Sequence, residues 1–344
     1  MALTPGMDIL ILGGTALLGR AIAEAALRSG HTVTCAARGT APAPEGTSFV
    51  TVDRDDDDGL SPVADRIWDA VVDVSRHPGQ VRRTVRDLRT RHWAFISSLN
   101  VYATFDRREQ SEDSPVLAPL TGDVMEDMSA YGAAKVACED IVRAADAPAT
   151  IIRSGLISGP GDTSGRSGYY PWRFAHPTGA DVLVPDDPTF PCALIHVDDL
   201  AEWTVHAATH RLDGTFNATG PTVALGDVLT TAARVAHSDV AARPVPAAVL
   251  AAQGISAWMG PASLPLWIDD PGWRFFATAD SSAAMRAGLR TRPLEDTLAD
   301  ALAFENQRTG PRPAGLSDDE ERALRASLAA SSLDQLRGAT GKSG

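Results

Sequence analysis

Asp8-Ile-Leu-Ile-Leu-Gly13-Gly14-Thr15-Ala16-Leu17-Leu18-Gly19-Arg20 places four apolar residues of five directly before a glycine turn, and a helical pattern, Ala21 to Arg28, directly after it. The order is strand, turn, helix. Gly13 lets the chain leave the strand sharply, and Gly19 lets the helix lie close to the sheet. The first N–H groups of such a helix have no partner inside it and sit at the positive end of its dipole, which favours a pyrophosphate above the turn. Gly13, Gly14, Thr15, Leu17, Leu18, Gly19 and Arg20 are therefore the expected phosphate cradle. The spacing departs from the full dinucleotide fingerprint at one place. Ala16 stands where a middle glycine would fall, and its methyl narrows the approach of the backbone to the phosphates.

Working outward, strand and helix patterns alternate. Residues 31–36, 48–52, 69–73 and 93–97 read as further strands, and residues 79–90 as a basic-faced helix. This predicts an α/β fold, a Rossmann-type doubly wound parallel sheet with its ligand at the carboxyl edge, beside a smaller, mixed substrate-binding lobe. The end of the second strand reads Ala37-Arg38-Gly39, without the carboxylate that an NAD ribose usually meets there. An unopposed guanidinium suits a 2′-phosphate, so NADP(H) is expected in preference to NAD(H), with Arg38 and Arg20 as the cations. Asp53 at the end of the third strand is placed to approach the adenine, and Ser75 follows the fourth strand. The run Asp55 to Asp58 lacks spaced His or Cys partners and reads as a solvated loop, so no metal is expected.

Composition limits the alternatives. The chain has 344 residues, 44% hydrophobic and 22% charged, with a net charge of −13. That is ample for a core and unsuited to a nucleic-acid or anionic membrane surface. No segment reaches the length of a membrane span, and the N-terminal apolar run is too short for a signal peptide. Cys35, Cys138 and Cys192 lack metal-ligand spacing and read as reduced thiols, so a cytoplasmic location is expected.

The chemistry lies downstream of the fifth strand. Ile96-Ser-Ser98-Leu-Asn100-Val-Tyr102 ends that strand, and Tyr131-Gly-Ala-Ala-Lys135 follows in a helical context. Tyr131 and Lys135 are four apart and share one helix face. A free phenol near pKa 10 is a poor acid/base at neutral pH, and lowering it by about 3 units needs about 4 kcal/mol of preferential stabilisation of the phenolate. A neighbouring ammonium supplies much of that, while Ser98 at a strand tip can hydrogen-bond the substrate oxygen that gains or loses the proton. Tyr131, Lys135 and Ser98 are the expected catalytic residues, with Asn100 beside them on the substrate side.

Together, Gly13 to Gly19, Ser97-Ser-Leu-Asn-Val-Tyr102 and Tyr131 to Lys135 resemble the extended short-chain dehydrogenase/reductases, the NAD-dependent epimerase/dehydratase group. Ile151 to Asp162, Leu194-Ile-His-Val-Asp-Asp-Leu-Ala201 and Gly214-Thr-Phe-Asn-Ala-Thr-Gly220 are similar to its later segments, so the resemblance covers about residues 7–306. It implies that Tyr131 is the acid/base, that Lys135 also holds the nicotinamide ribose, that Ser98 assists, and that the chain forms a homodimer through the Tyr131 helix. The family's dehydratases carry an Asp-Glu pair directly after the serine or threonine. This chain has Leu99 and Asn100 there, which argues against dehydration. An NADP(H)-dependent oxidoreductase acting on a carbonyl or alcohol carbon of a small soluble molecule is the leading expectation. A cofactor-retaining sugar epimerase with the same triad and a non-catalytic NADP-binding sensor stay open.

Residues 160–176 are rich in Gly, aromatics and arginine, and the expectation is a loop in which Arg166, Tyr169, Tyr170 and Arg173 grip a polar or anionic substrate. Trp258, Trp267 and Trp273 read as packing before ligand contact. The expected domains are 1–155 plus 188–220 for the dinucleotide, 156–187 plus 221–306 for the substrate, and a C-terminal helical tail, 307–344. Helices are expected over Asp280 to Arg290 and Leu294 to Glu305, and a capping box, Ser317-Asp-Asp-Glu320, opens another to about Ala330, with the last ten residues frayed.

Overall fold

Ile9, Leu10, Ile11 and Leu12 are each at most 1% exposed, so β1 (Asp8–Leu12) is apolar on both faces and belongs at the centre of a covered sheet. The structure, a computed structural model, describes residues 6–340, with side chains for 6–330. Around β1 lie β2 (Thr32–Ala37), β3 (Ser48–Thr51), β4 (Ala70–Asp73), β5 (Trp93–Ser98), β6 (Ala149–Ser154) and β7 (Gly214–Ala218). They form one seven-stranded sheet in the order β7-β6-β5-β4-β1-β2-β3. Every neighbouring pair is parallel. The order reverses between β1 and β4, and the carboxyl ends of those two strands open the crevice where such sheets bind ligands.

Alternation along the strands builds two cores. Ile9, Ile11, Val33, Cys35 and Val72 face α1 (Leu17–Arg28) and α4 (Val197–Thr209), meeting Ile22, Ala26, Leu200 and Trp203. Leu10, Leu12, Ala36, Val71 and Phe95 face the other way, onto Val81 of α2 (Pro78–Asp87) and Cys138 and Val142 of α3 (Tyr131–Arg143). All three cysteines are buried and free, and burial pushes the thiols of Cys138 and Cys192 up to about 12. Asp57 of the acidic run pairs with Arg86 at 2.7 Å.

The chain divides into two units. The first comprises Met1–Ile157, Ala193–Thr222 and Gly272–Arg292, and the second Ser158–Cys192, Val223–Pro271 and Pro293–Gly344. Against the expected division, residues 272–292 fall in the first unit, where Phe275 N–H donates to the Phe105 carbonyl and Asp280 N–H to the Gln110 carbonyl, at 3.1 and 3.0 Å. The helix expected over 280–290 is only Ser282–Arg286. Gly288, at φ +101°, ends it with N–H bonds from Gly288 to Met285 and from Leu289 to Ala284.

The tail is not a separate domain. Ser317 and Glu320 form the reciprocal capping box, N–H to carboxylate 2.7 Å and N–H to hydroxyl 3.3 Å. The helix they open runs over Asp318–Thr340, beyond Ala330. Its Glu321 meets Arg173 Nε at 2.8 Å inside the second unit. The expected fraying of the last ten residues concerns side chains and four residues, 341–344, that lie outside the described ones. The second unit also holds helices Leu225–Val235 and Leu294–Asn306 and a parallel strand pair, Asp181–Pro185 with Ala241–Val245. No described helix is long and apolar enough to cross a membrane.

Candidate active site

The glycine turn is built for close contact. Gly13 has φ +90°, a conformation costly for other residues. A Cβ on Gly19 would lie 2.2 Å from the Gly13 carbonyl oxygen, and one on Gly14 would lie 2.5 Å from Cys35 Sγ. Ala16 has ordinary extended angles, φ −91° and ψ 168°, so the backbone there does not require glycine. As N-cap of α1, Ala16 offers no side-chain acceptor, and the first turn holds no acidic residue. An uncapped helix start is about 1 kcal/mol less stable than a capped one. Its open N–H groups and positive dipole end fit a bound anion.

A cavity of about 380 Å³ opens there, lined by Gly13, Thr15, Arg38, Asp53 and Ser75 among the expected cofactor residues. Gly14, Leu18 and Gly19 are buried in the turn, so only their backbone is available to a ligand. Leu17 is half-buried and packs on the core of that face of the sheet. Arg20 departs from expectation. It donates to the Pro42 carbonyl and lies 3.8 Å from Glu24, outside the cavity lining. Arg38 is exposed and lines the cavity with Arg76 and His77, two residues that sequence reasoning missed. Burial, then the Arg76 charge, lowers the His77 pKa; Arg54 lines the cavity too but is spent on Asp73, which leaves Arg38 and Arg76 as the other two arginines of the lining. Asp55 also lines it, held by Gln80 at 2.9 Å, and Asp53 accepts the Asp55 N–H at 3.0 Å. The residues present therefore fit a nicotinamide dinucleotide, with an uncapped helix for the pyrophosphate and the Arg38 and Arg76 guanidinium groups in the same lining.

Tyr131 is the first residue of α3, and Lys135 lies one turn on. Lys135 is buried, and its Nζ donates to the carbonyls of Ser75 and Ile96, both at 2.6 Å. Two of its three protons are thereby fixed and the charge stays inside. A buried chain sets this up: Arg54 Nη1 donates to Asp73 at 2.9 Å, and Asp73 accepts the Ser75 N–H at 2.8 Å. Lys135 Nζ stands 6.0 Å from the centre of the Tyr131 ring. The ammonium and the ring thus share one side of the first turn of α3.

Ser98 ends β5 and is buried. Its hydroxyl donates to Asn100 Oδ1 at 2.9 Å and accepts the Asn100 N–H at 3.3 Å, so engaging a substrate oxygen means releasing Asn100. Gly132 brings α3 against this turn, since a Cβ there would sit 2.1 Å from the Asn100 carbonyl oxygen.

Beneath the pair lies a buried network without a local sequence signal. Glu139, one turn beyond Lys135, accepts from Ser97, from Arg153 Nε and Nη2 at 3.1 and 2.9 Å, and from Arg143 at 2.6 Å. Burial alone would raise its pKa, but the Arg153, Ser97 and Arg143 partners outweigh burial and hold the carboxyl below its usual value. Arg153 also donates to the Tyr102 hydroxyl at 3.2 Å, which itself donates to Asn217 at 2.6 Å.

The expected substrate grip from residues 160–176 is corrected. Tyr169–Ala175 is a helix of the second unit, and Tyr169, Tyr170 and Arg173 are its fully buried face. Arg173 is spent on Glu321, on Asp318 at 2.8 Å and on the Leu316 carbonyl at 2.6 Å, while the Tyr170 hydroxyl donates to Pro265 at 3.2 Å. These three side chains pack and anchor this unit rather than meet a solute. Arg166, also of the second unit, is half-buried over the Trp258 ring at 5.1 Å.

A family model described as the NAD dependent epimerase/dehydratase family matches residues 9–88 and 80–218. No curated protein matches the chain in sequence. Among solved structures, the Bordetella bronchiseptica enzyme WbmH in complex with NAD+ is similar at TM-score 0.64 and 17% identity, over 88% of this chain and 99% of that one. UDP-glucose-4-epimerase from Stenotrophomonas maltophila, with bound NAD and formylated UDP-arabinopyranose, is similar at TM-score 0.61 and 19% identity, over 87% and 98%. UDP-N-acetylglucosamine 4-epimerase from Bacillus cereus is similar at TM-score 0.60 and 14% identity, over 89% and 99%.

Proposed function

The chain belongs to the NAD dependent epimerase/dehydratase family, and from that premise we propose that it is an NADP(H)-dependent oxidoreductase acting on a carbonyl or alcohol carbon of a small molecule. The observation that carries the reading is the Lys135 ammonium, fixed by two carbonyls and facing the Tyr131 ring at the start of α3. The dinucleotide, when bound, supplies or accepts the hydride at the substrate carbon. The open start of α1 would hold its pyrophosphate, Asp53 would approach the adenine, and Ser75 lines the same cavity. In the reducing direction Tyr131 gives its phenolic proton to the substrate oxygen. Lys135 favours the phenolate left behind, and Ser98, released from Asn100, donates to the same oxygen and holds it against Tyr131.

The preference for NADP(H) rests on Arg38 and Arg76, which line the same cavity. A guanidinium on a phosphate is worth about 1.5–3 kcal/mol. Arg38→Ser is expected to weaken NADPH binding about tenfold or more in calorimetric titration and to leave NADH within about threefold. Equal losses for both nucleotides would remove the 2′-phosphate assignment.

A second reading is favoured by what the similar structures are, two of them UDP-sugar 4-epimerases. An epimerase would use the same Tyr131, Lys135 and Ser98, keep its dinucleotide bound and show no net consumption of it. Stoichiometric oxidation of added NADPH during carbonyl reduction separates the two.

A further inference from the structure

Beside the proposed proton donor lies a second cavity of the first unit, about 420 Å³, which the chemistry above does not use. Ser98, Tyr131 and Lys135 do not line it, and it adjoins them through their neighbours. Asn100, the acceptor of the Ser98 hydroxyl, lines it, as do Ser129 and Gly132, which flank Tyr131 in the chain. Its far wall is aromatic. Phe105 and Trp273 stack at 5.1 Å between ring centres with 29° between planes, and Phe276 meets Phe105 edge-on at 4.9 Å. Leu117 and Met128 complete the apolar side. Trp273 is 45% exposed and Met128 63% exposed, although both line a concave surface where apolar side chains gain by being covered.

The polar inventory is as informative. Among the described lining residues no Lys, Arg or His occurs, and the one charged side chain is the carboxylate of Asp106. The Tyr102 hydroxyl is committed to Asn217 and Arg153. The Thr104 and Ser129 hydroxyls donate to Asp106 and Asp127, so the neutral donor left in the lining to orient a ligand oxygen is the Asn100 side-chain amide. A phosphate would meet an anion and no cation here. Phe105 and Trp273 cover each other's inner faces, so a flat ring would lie against the exposed side of Trp273.

We propose that this cavity is the subsite for the non-reacting part of the substrate, and that this part is an uncharged aromatic ring bonded to the carbonyl carbon. The substrate class is thus an aryl ketone or the corresponding secondary alcohol rather than a sugar nucleotide. The inference rests on the reading of Tyr131 as proton donor beside a nicotinamide dinucleotide. The ring lies between Trp273 and Leu117, and its carbonyl points to the Ser98–Asn100 turn and the start of α3.

The test uses the full chain saturated with NADP+, with acetophenone and cyclohexyl methyl ketone as probes of similar size. Saturation-transfer NMR gives the affinities without relying on turnover, and NADPH oxidation gives the kinetics. Acetophenone is expected to bind about tenfold more tightly than cyclohexyl methyl ketone. Trp273→Ala should reduce that ratio to near unity, with Trp273→Phe restoring most of it, and UDP-glucose should not displace acetophenone. Absence of acetophenone binding, a ratio unmoved by Trp273→Ala, or displacement by UDP-glucose overturns the subsite. Trp273-dependent binding of acetophenone with no ketone reduced keeps the subsite and rejects the reductase reading. Reduction of aliphatic ketones without acetophenone binding does the reverse.

Discussion

Tyr131→Phe lowers kcat for NADPH-dependent carbonyl reduction by about 10²–10⁴-fold, the usual worth of a positioned general acid, while the Kd for NADPH stays within about threefold. The asymmetry follows from position. Tyr131 begins α3 beside the Ser98–Asn100 turn, whereas the cavity that fits the dinucleotide is lined by Gly13, Thr15, Arg38, Asp53 and Ser75 and does not include it. Removing one oxygen leaves the ring, the helix and the Lys135 hydrogen bonds to Ser75 and Ile96 in place. Stopped-flow measurement of hydride transfer, paired with a titration of NADPH fluorescence, checks both halves. A variant that retains a tenth or more of the wild-type rate would take the proton from another group and remove Tyr131 from the chemistry.

The second large effect is on stability. Glu139→Gln is expected to cost about 3–5 kcal/mol, because it leaves the buried Arg153 guanidinium without its countercharge. Glu139 joins α3 to β5 through Ser97 and to β6 through Arg153, so the loss also loosens the helix that presents Tyr131 and Lys135. The pH dependence has a definite sign. Burial raises the Glu139 pKa, but its arginine and serine partners outweigh burial and hold it below the unfolded value. The contribution is complete above the unfolded carboxyl value, about 4.3, and is lost as pH falls through the lower folded value. Urea denaturation at pH 7 and pH 4 should show wild type losing stability on acidification, and Glu139→Gln losing less over the same interval. A cost under about 1 kcal/mol at pH 7 would mean that Arg153 finds another partner.

What could be read in the sequence was local. Ile9 to Leu12 before Gly13 announced a strand and the turn after it, since the apolar run and the turn chemistry sit within a dozen residues. Tyr131 and Lys135 were legible for the same reason, one helix turn apart. What escaped depends on partners far along the chain. Arg173 among tyrosines and a tryptophan looks like a substrate contact until Glu321 and Asp318 are seen to neutralise it in a packed interior. Arg153, within an apolar strand, is explained only by Glu139 on α3. The return of 272–292 to the first unit follows from backbone pairing with residues 105–110, which no composition shift signals. Arg76 went unread because a single arginine after a strand carries no pattern, and what singles it out is that it lines the same cavity as Arg38.

The central claim is a dissociating NADP(H) reductase, and the nucleotide carried by freshly purified protein tests it most directly. Mass spectrometry before and after desalting, followed by titration with NADPH and NADH, should find a site that empties on desalting and then takes up NADPH reversibly, at least tenfold more tightly than NADH. NAD that stays bound through desalting and does not exchange would contradict the account and identify an epimerase-type enzyme instead.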